Sequence, residues 1–511
     1  MFPSQMSRLR ALRSVLGSKP VVVTLLVIEA LAALVFYLIP PIREYRSFSL
    51  WNFDYGILFQ SSASFAHGKA PLLTTRGVHA LADNQEYFQI AFAWAHHLPG
   101  PHYWMLLLHS LGIFSSGIVA FALSRRHGAI ALLMPAFVWL SPFLININLD
   151  LFHTEAFATI LILLMYAGAR AGKLVLYLVS LSLALLCKED VAITVATFSV
   201  LAWLKSDWFA LPRRVFQWSA LAAVAVFSTN LLVVLPHYKL QTCLWLDPGF
   251  NVAGLDAAPV APFFRNTFAS LFRWDFYRER LGRVLVLLYL LKLMWPVLLV
   301  ASKVGPFWLL PLPGAAINVV ADADYLVTGY FHYDHSTFAG VIIVVLLGLE
   351  RVRHKAVIAA LLVATSLLLP MFLPQWYRAR PGQLFEQHFW RIPRDERVTF
   401  VEQLNERLPP DVVISADYNS VSYLLPGREK VFMFENPFQL QYFGIYGLCE
   451  KMAAPPMPEV LVLRAGYEVS QLARGIMRES FEKLGGRKDI DVFVNRKSPR
   501  YAELARIVRS N

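Results

Sequence analysis

Charge is what this sequence most lacks. Asp, Glu, Lys and Arg make up 16% of its 511 residues, whereas 57% are hydrophobic. Soluble domains carry about a quarter charged residues. The deficit excludes a purely soluble protein and points to many bilayer-spanning segments. Cysteine is also scarce: Cys187, Cys243 and Cys449 stand far apart with no metal-ligand spacing. A thiolate metal centre has no support, and a Cys243–Cys449 bond is conceivable only if both lie outside the membrane. HExxH, GxSxG, CxxC and Walker patterns are missing, which removes the usual signatures of soluble hydrolases, dithiol enzymes and ATPases. The formal net charge of +12 does not signal nucleic acid. The Lys and Arg sit in short clusters between apolar runs, as positive-inside topology signals do.

Long apolar runs are what the sequence has instead. They give about eleven spans, near 20–40, 103–123, 129–147, 155–170, 174–187, 191–205, 215–235, 284–300, 307–320, 336–351 and 355–373. Each is read against the roughly twenty helical residues that cross a bilayer. Arg8, Arg10, Arg13 and Lys19 precede the first run, and Leu38-Ile39-Pro40-Pro41 offers no small-residue cleavage site. The first span therefore reads as an uncleaved anchor with its N-terminus in the cytoplasm. Residues 41–100 are too polar to span and form an outer loop, in which Phe88–His97 suits a helix lying along the interface.

The segment 374–511 differs in kind. Strand-like 412–416, 431–434, 460–463 and 491–494 alternate with helical 395–408 and 468–484. This predicts a small α/β domain with a partly parallel sheet, outside the membrane after an odd number of spans. The expected fold is thus mostly α, a polytopic membrane bundle over residues 1–373 followed by an extracytoplasmic α/β domain over 374–511.

The span boundaries come from hydrophobicity alone, yet they segregate the polar turns. Basic clusters at the N-terminus, 125–126, 170–173, 205–214, 303 and 351–355 fall on one side. Acid- and His-bearing turns at 54, 79–86, 150–155, 188–190 and 322–335 fall on the other. That pattern predicts one site at the outer end of the bundle.

Several residue groups are candidates for that site. Asp54 follows the first span between aromatics and a Gly; it is either an interfacial base or cation holder, or a helix N-cap. His153 and Glu155 flank Thr154 and suit sharing a proton or cation, unless Asp150 or Thr154 merely caps a helix. Lys188-Glu189-Asp190 places three charges between two apolar runs. These fit a phosphate-binding Lys with carboxylates for sugar hydroxyls, or a tight outer turn. Asp322, Asp324, His332 and His335 have metal-ligand chemistry without a fixed ligand spacing, so a divalent cation stays open and no cofactor is called for. Glu29 and Lys292 lie inside spans, and mutual pairing is the simplest reading of both.

The motifs Phe53-Asp54-x-Gly56-Ile57-x-x-Gln60, Phe152-His153-x-Glu155 and Lys188-Glu189-Asp190, with Leu424-Leu425-Pro426-Gly427-Arg428 in the tail, resemble domain-of-unknown-function family 2079 of prokaryotic membrane proteins. Two departures stand out: Thr154 where that family usually has Pro, and Asp83-Asn84-Gln85 where it tends to carry His. The family is similar in layout to the GT-C membrane glycosyltransferases. That resemblance implies transfer of a sugar from a polyprenyl-phosphate lipid to an acceptor at the outer face of the plasma membrane. It makes Asp54 the catalytic base and Lys188, Glu189, Asp190, His153, Glu155 and Gln60 substrate-binding residues. The rival readings are a transporter or flippase with a Glu29–Lys292 relay, and a non-catalytic assembly protein.

Overall fold

The computed structural model describes residues 19–50, 52–75, 78–238, 273–320, 324–329, 331–372, 386, 390–434, 457–469 and 471–510. Cys243, Cys449 and Asp322, and the side chains of Asp54 and His332, lie outside the described residues.

Helical passes occur at all the expected positions: α1 (Lys19–Arg46), α2 (Asn52–Ala66, in the outer segment), α3 (Pro101–Ser124), α4 (Leu133–Trp139), α5 (Pro142–Leu149), α6 (Ala156–Ala171), α7 (Leu174–Leu185), α8 (Val191–Leu204), α9 (Arg213–Thr229), α10 (Val284–Leu298), α11 (Leu312–Val320), α12 (His335–Arg351) and α13 (Lys355–Phe372). Three stretches are long and apolar enough to cross a bilayer unaided: Lys19–Arg46, Pro101–Trp139 and Arg213–Tyr238. The second folds back on itself at Gly128, whose φ of 64° and ψ of −136° break the helix. Trp139 then stacks on Phe114 at 5.1 Å and donates to its carbonyl at 2.8 Å. Apolar side chains such as Val27, Ile28, Trp218 and Leu291 point outward, as a lipid-facing surface requires. α12 is the buried axis of the bundle, with every residue from His335 to Leu349 inside.

The bundle departs from the expected spans in three places. α1 runs to Arg46 through Pro40 and Pro41, so the outer segment starts about six residues later than 41. Both prolines are buried against neighbouring helices, the setting in which a membrane helix tolerates them. The third span is jointed, since Pro142 opens α5 after a break at Leu140-Ser141. Glu29 and Lys292 do not pair: Lys292 Nζ lies 3.4 Å from the Thr328 carbonyl and 4.9 Å over the Phe143 ring, and Glu29 Oε1 is buried with no hydrogen-bond partner among the described residues.

In the C-terminal domain, α14 (Glu396–Arg407) is capped by Asp395, which accepts from Arg397 N at 2.8 Å. At its other end the buried Arg428 donates to the carbonyls of Asn405 and Leu408, both at 2.6 Å. Those are carbonyls a helix end leaves unpaired. Five strands follow: β3 (Ile414–Ala416), β4 (Val431–Met433), β5 (Val460–Arg464), β6 (Phe481–Arg487) and β7 (Ile490–Asn495), after a two-residue hairpin of β1 (Leu72–Leu73) and β2 (Val78–His79) in the outer loop. Their order is β4-β3-β5-β7-β6. β3 pairs parallel with β4 and β5, whereas β7 is antiparallel to β5 and β6. The sheet is therefore partly parallel, as expected.

The expected helix 468–484 is too long. α15 covers Gln471–Ser480, and Phe481–Arg487 forms β6 of a hairpin with β7. Lys488 turns that hairpin at φ 53°, and Gly485 and Gly486 lie inside the strand. A last helix, Tyr501–Arg509, covers the sheet and had no counterpart in the sequence reading.

This domain is docked on the outer segment. Tyr45, Phe48, Leu50, Tyr55, Leu58 and Phe59 share one apolar core with Val398, Val401, Leu424 and Val460. Tyr423 Oη donates to the Tyr45 carbonyl at 2.7 Å, and Asp395 N to the Arg46 carbonyl at 2.8 Å.

Candidate active site at the outer end of the bundle

Four separate turns converge where α6, α8 and α12 begin. The first is 150–155, between α5 and α6. Leu151 sits at φ 67°, a left-handed conformation that usually calls for Gly after a helix end and is costly for a bulky residue. Burial of Leu151 and Phe152 in the core holds the turn there. His109, from mid-α3, straps it: Nδ1 accepts from His153 N at 3.1 Å, and Nε2 donates to the Ile147 carbonyl at 3.2 Å. The strained turn aims His153 and Glu155 inward.

Glu155 is fully buried and lies 2.9 Å from Lys188 Nζ. His153 Nδ1 is 3.5 Å from the same Glu155 oxygen, and its Nε2 is 3.8 Å from Asp150 Oδ2. Lys188 comes from the 186–190 turn and is itself only 8% exposed. Burial opposes its charge, but Glu155, Glu86, Asp190 and Glu189 around it hold the ammonium well above the ordinary lysine range. The neighbouring Asp190 faces His335, the first residue of α12, at 3.5 Å. Burial would raise the Asp190 carboxyl; His335 and Lys188 outweigh it and hold it below its usual value. Glu189 accepts from Gln85 N at 3.1 Å, and its carboxyl is raised by burial despite Lys188.

Glu86 is the member that sequence reasoning undervalued. It is 2% exposed, and its Oε2 is 2.5 Å from Thr154 Oγ1, which also lies 3.2 Å from the Cys187 carbonyl. Burial and the nearby Glu155 push the Glu86 carboxyl well up. A hydroxyl has one proton to give. Thr154 Oγ1 therefore donates either to Glu86 Oε2 or to the Cys187 carbonyl. Phe88 N bonds the Leu186 carbonyl at 2.8 Å, so the outer loop and the Lys188 turn are laced together.

Beside this cluster Asp334 accepts from Tyr289 Oη at 2.6 Å and from Asn318 Nδ2 at 3.3 Å. The 332–335 turn thus joins two polar groups, Asp334 facing α10 and α11 and His335 facing Asp190. Asp324 is exposed and pairs with Arg283 at 2.5 Å, away from His335. Among the described residues no three His, Cys, Asp or Glu side chains are placed to hold a metal ion.

The structure therefore brings together Lys188, Glu189, Asp190, His153 and Glu155 from two separate stretches of sequence. Gln60 is placed elsewhere. Its amide donates to Thr74 Oγ1 at 2.7 Å and the Glu429 carbonyl at 3.3 Å, and its oxygen accepts from Thr75 Oγ1 at 3.1 Å. It ties α2 to the hairpin and the C-terminal domain. Asp54 lies in the first turn of α2, two residues past its start rather than at its cap.

Eleven helical passes among the described residues, with a buried acid–lysine–histidine cluster at one end and an α/β domain docked on the first outer segment, define a polytopic membrane protein of GT-C-like fold. The chain belongs to the family described as "Predicted membrane protein (DUF2079)", whose model matches residues 45–443. Among solved structures it is similar to ArnT from Cupriavidus metallidurans bound to undecaprenyl phosphate. The TM-score is 0.52 at 13% identity, over 93% of this chain and 98% of that one. The apo state of the same protein gives a TM-score of 0.49 at 13% identity, over 93% and 97% of the two chains. At such identity the likeness establishes the fold. A sequence search of curated proteins finds no match.

Proposed function

We propose that the chain is a GT-C-like glycosyltransferase. In this reading it moves a sugar from a polyprenyl-phosphate donor to an acceptor at the outer face of a prokaryotic plasma membrane. The N-terminus is then cytoplasmic and the C-terminal domain lies outside. The observation that carries the reading is the fold, shared over 93% of the chain with a protein crystallised with undecaprenyl phosphate.

The chemistry asks for three things: a base for the acceptor hydroxyl, positive charge for the departing phosphate, and contacts that hold the sugar. Asp54 takes the acceptor proton as that oxygen attacks the anomeric carbon. The bond from that carbon to the phosphate oxygen breaks, and its electron pair leaves with the phosphate. Lys188 spends one of its three N–H groups on Glu155, which leaves two to meet phosphate oxygens. His153, Glu155, Glu189 and Asp190 position the sugar and trade protons with water. Direct displacement with one base inverts the anomeric centre.

The test is sugar transfer from a radiolabelled polyprenyl-phosphate sugar by the purified full-length protein. Asp54→Asn is expected to lower the rate by about 10²-fold or more, with the lipid still bound. Unchanged transfer would remove Asp54 from the reaction. Movement of the lipid across vesicles without any transfer would favour a flippase, a reading weakened by the separation of Glu29 from Lys292.

A further inference from the structure

The end of the bundle opposite the Glu155 cluster carries a second built group of charges. α6 leads from Glu155 to Arg170, and α12 leads from His335 to Arg351. At about 1.5 Å per residue, these helices separate the two ends by roughly 24 Å. At the far end Glu350 is gripped by Arg126, by Arg170 at 2.7 Å and more loosely by Arg351 at 3.9 Å. The guanidiniums are fixed from behind: Arg170 donates to the Trp208 carbonyl, and Arg351 stacks on the Trp208 ring at 3.7 Å. Lys355 Nζ stands 3.5 Å from His127 Nδ1, on the same side as Arg126. Arg126, Arg170 and Arg351 thus face one carboxylate, and Lys355 stands beside the neighbouring His127. The only other acid on the adjoining 206–208 turn, Asp207, makes no ion pair with them among the described residues.

Topology signalling requires positive charge on this side, but it does not require ordered arginines around a shared carboxylate. Arg126 is 51% exposed, with most of its five donors unspent. In the first two turns of α13, which Lys355 opens, Val357 and Leu361 expose apolar side chains outward at 57% and 42%. A cationic fork beside an apolar helix face matches an anionic phospholipid, with phosphate on the basic groups and acyl chains along the helix.

We propose that Arg126, ordered through Glu350, Arg170 and Trp208, and Lys355, beside His127, form a binding site for the phosphate headgroup of an anionic membrane lipid. The site is independent of the transfer chemistry at the other end.

The test is native mass spectrometry and thermal unfolding of the purified full-length protein. The added probes are phosphatidylglycerol, cardiolipin, phosphatidylcholine or inorganic phosphate. The expected result is retention of the anionic lipids and a raised unfolding temperature, with no effect of phosphatidylcholine. Arg126→Gln with Lys355→Gln should weaken that retention about tenfold or more, at the strength of a surface cation near lipid phosphate. Lys173→Gln, exposed on the same side but outside the group, should leave it unchanged. If the double variant does not fold, Lys355→Gln alone, which breaks no ion pair, should still weaken retention several-fold. Equal retention by wild type and variants, or equal binding of phosphatidylcholine, overturns the proposal. An equal response to millimolar inorganic phosphate assigns the site to a soluble anion and overturns the lipid assignment.

Discussion

α12 joins two charge clusters built on opposite principles. At its start, His335 belongs to a group in which Glu155, Glu86 and Lys188 are each less than one-tenth exposed. At its end, Glu350 and its arginines are partly open, with Arg126 half in solvent. The dry cluster has more carboxylates than cations, and burial pushes the Glu86 and Glu189 carboxyls up. The open cluster has more cations than carboxylates, and water and counter-ions screen it. The first arrangement suits proton and phosphate chemistry; the second suits holding a charged surface. Burial, more than residue type, separates them.

The largest effect should come from removing the one lysine of the dry end. Lys188→Met leaves Glu155 buried without its counter-ion and should cost about 3–5 kcal/mol. The change reads out as a lowered unfolding temperature in detergent. Adding Glu155→Gln should return much of that loss, because the stranded charge is gone. A double variant as unstable as the single one would mean that Lys188 acts through packing, and the contrast between the ends would weaken.

A smaller effect is a pH dependence confined to the dry end. Burial pushes the Asp334 carboxyl up to about 6, although Tyr289, Lys292 and Asn318 pull the other way. Between the unfolded value of about 3.9 and the folded value, the native state holds a proton that the unfolded chain has released. The stabilisation is therefore complete below the unfolded pKa and is lost as pH rises through about 6, a change of about 3 kcal/mol. Asp334→Asn keeps an acceptor for Tyr289 but cannot titrate. Unfolding temperature should fall between pH 4 and 6.5 in the wild type relative to this variant. Parallel curves would show that Asp334 is already ionised and that the cluster is wetter than its burial implies.

The sequence made the helix positions legible because a bilayer demands long apolar runs whatever their partners. It also made His153, Glu155 and Lys188–Asp190 legible as a group, since polar turns on one side of a bundle have few places to go. It hid what depends on partners far along the chain. Glu86 lies in a polar loop without periodicity, and nothing there announces a bond to Thr154, 68 residues on. That bond brings Thr154 next to the residue that follows the 83–85 stretch. His335 read as a metal ligand by residue type, whereas its place at the start of α12 gives it to Asp190. The left-handed Leu151 was invisible because no Gly marks it. β6 was misread because Phe481–Leu484 follows an amphipathic helix without a break, and only the pairing with β7 distinguishes the two.

The smallest effect belongs to the open end. Glu350→Gln removes the carboxylate from among three arginines. Because Arg126 and Arg351 reach water, their repulsion is screened and the cost should be about 1 kcal/mol or less. That cost should shrink further as salt is raised from 50 mM to about 0.5 M, where the screening length falls below roughly 5 Å. The Lys188 variant should show no comparable salt relief, because its stranded carboxylate is shielded from ions by protein on every side. Unfolding temperatures of both variants across that salt range measure the difference directly. If Glu350→Gln proves as costly and as salt-insensitive as Lys188→Met, the far end is as dry as the near one. Arg126 would then lack the open donors that a lipid phosphate requires.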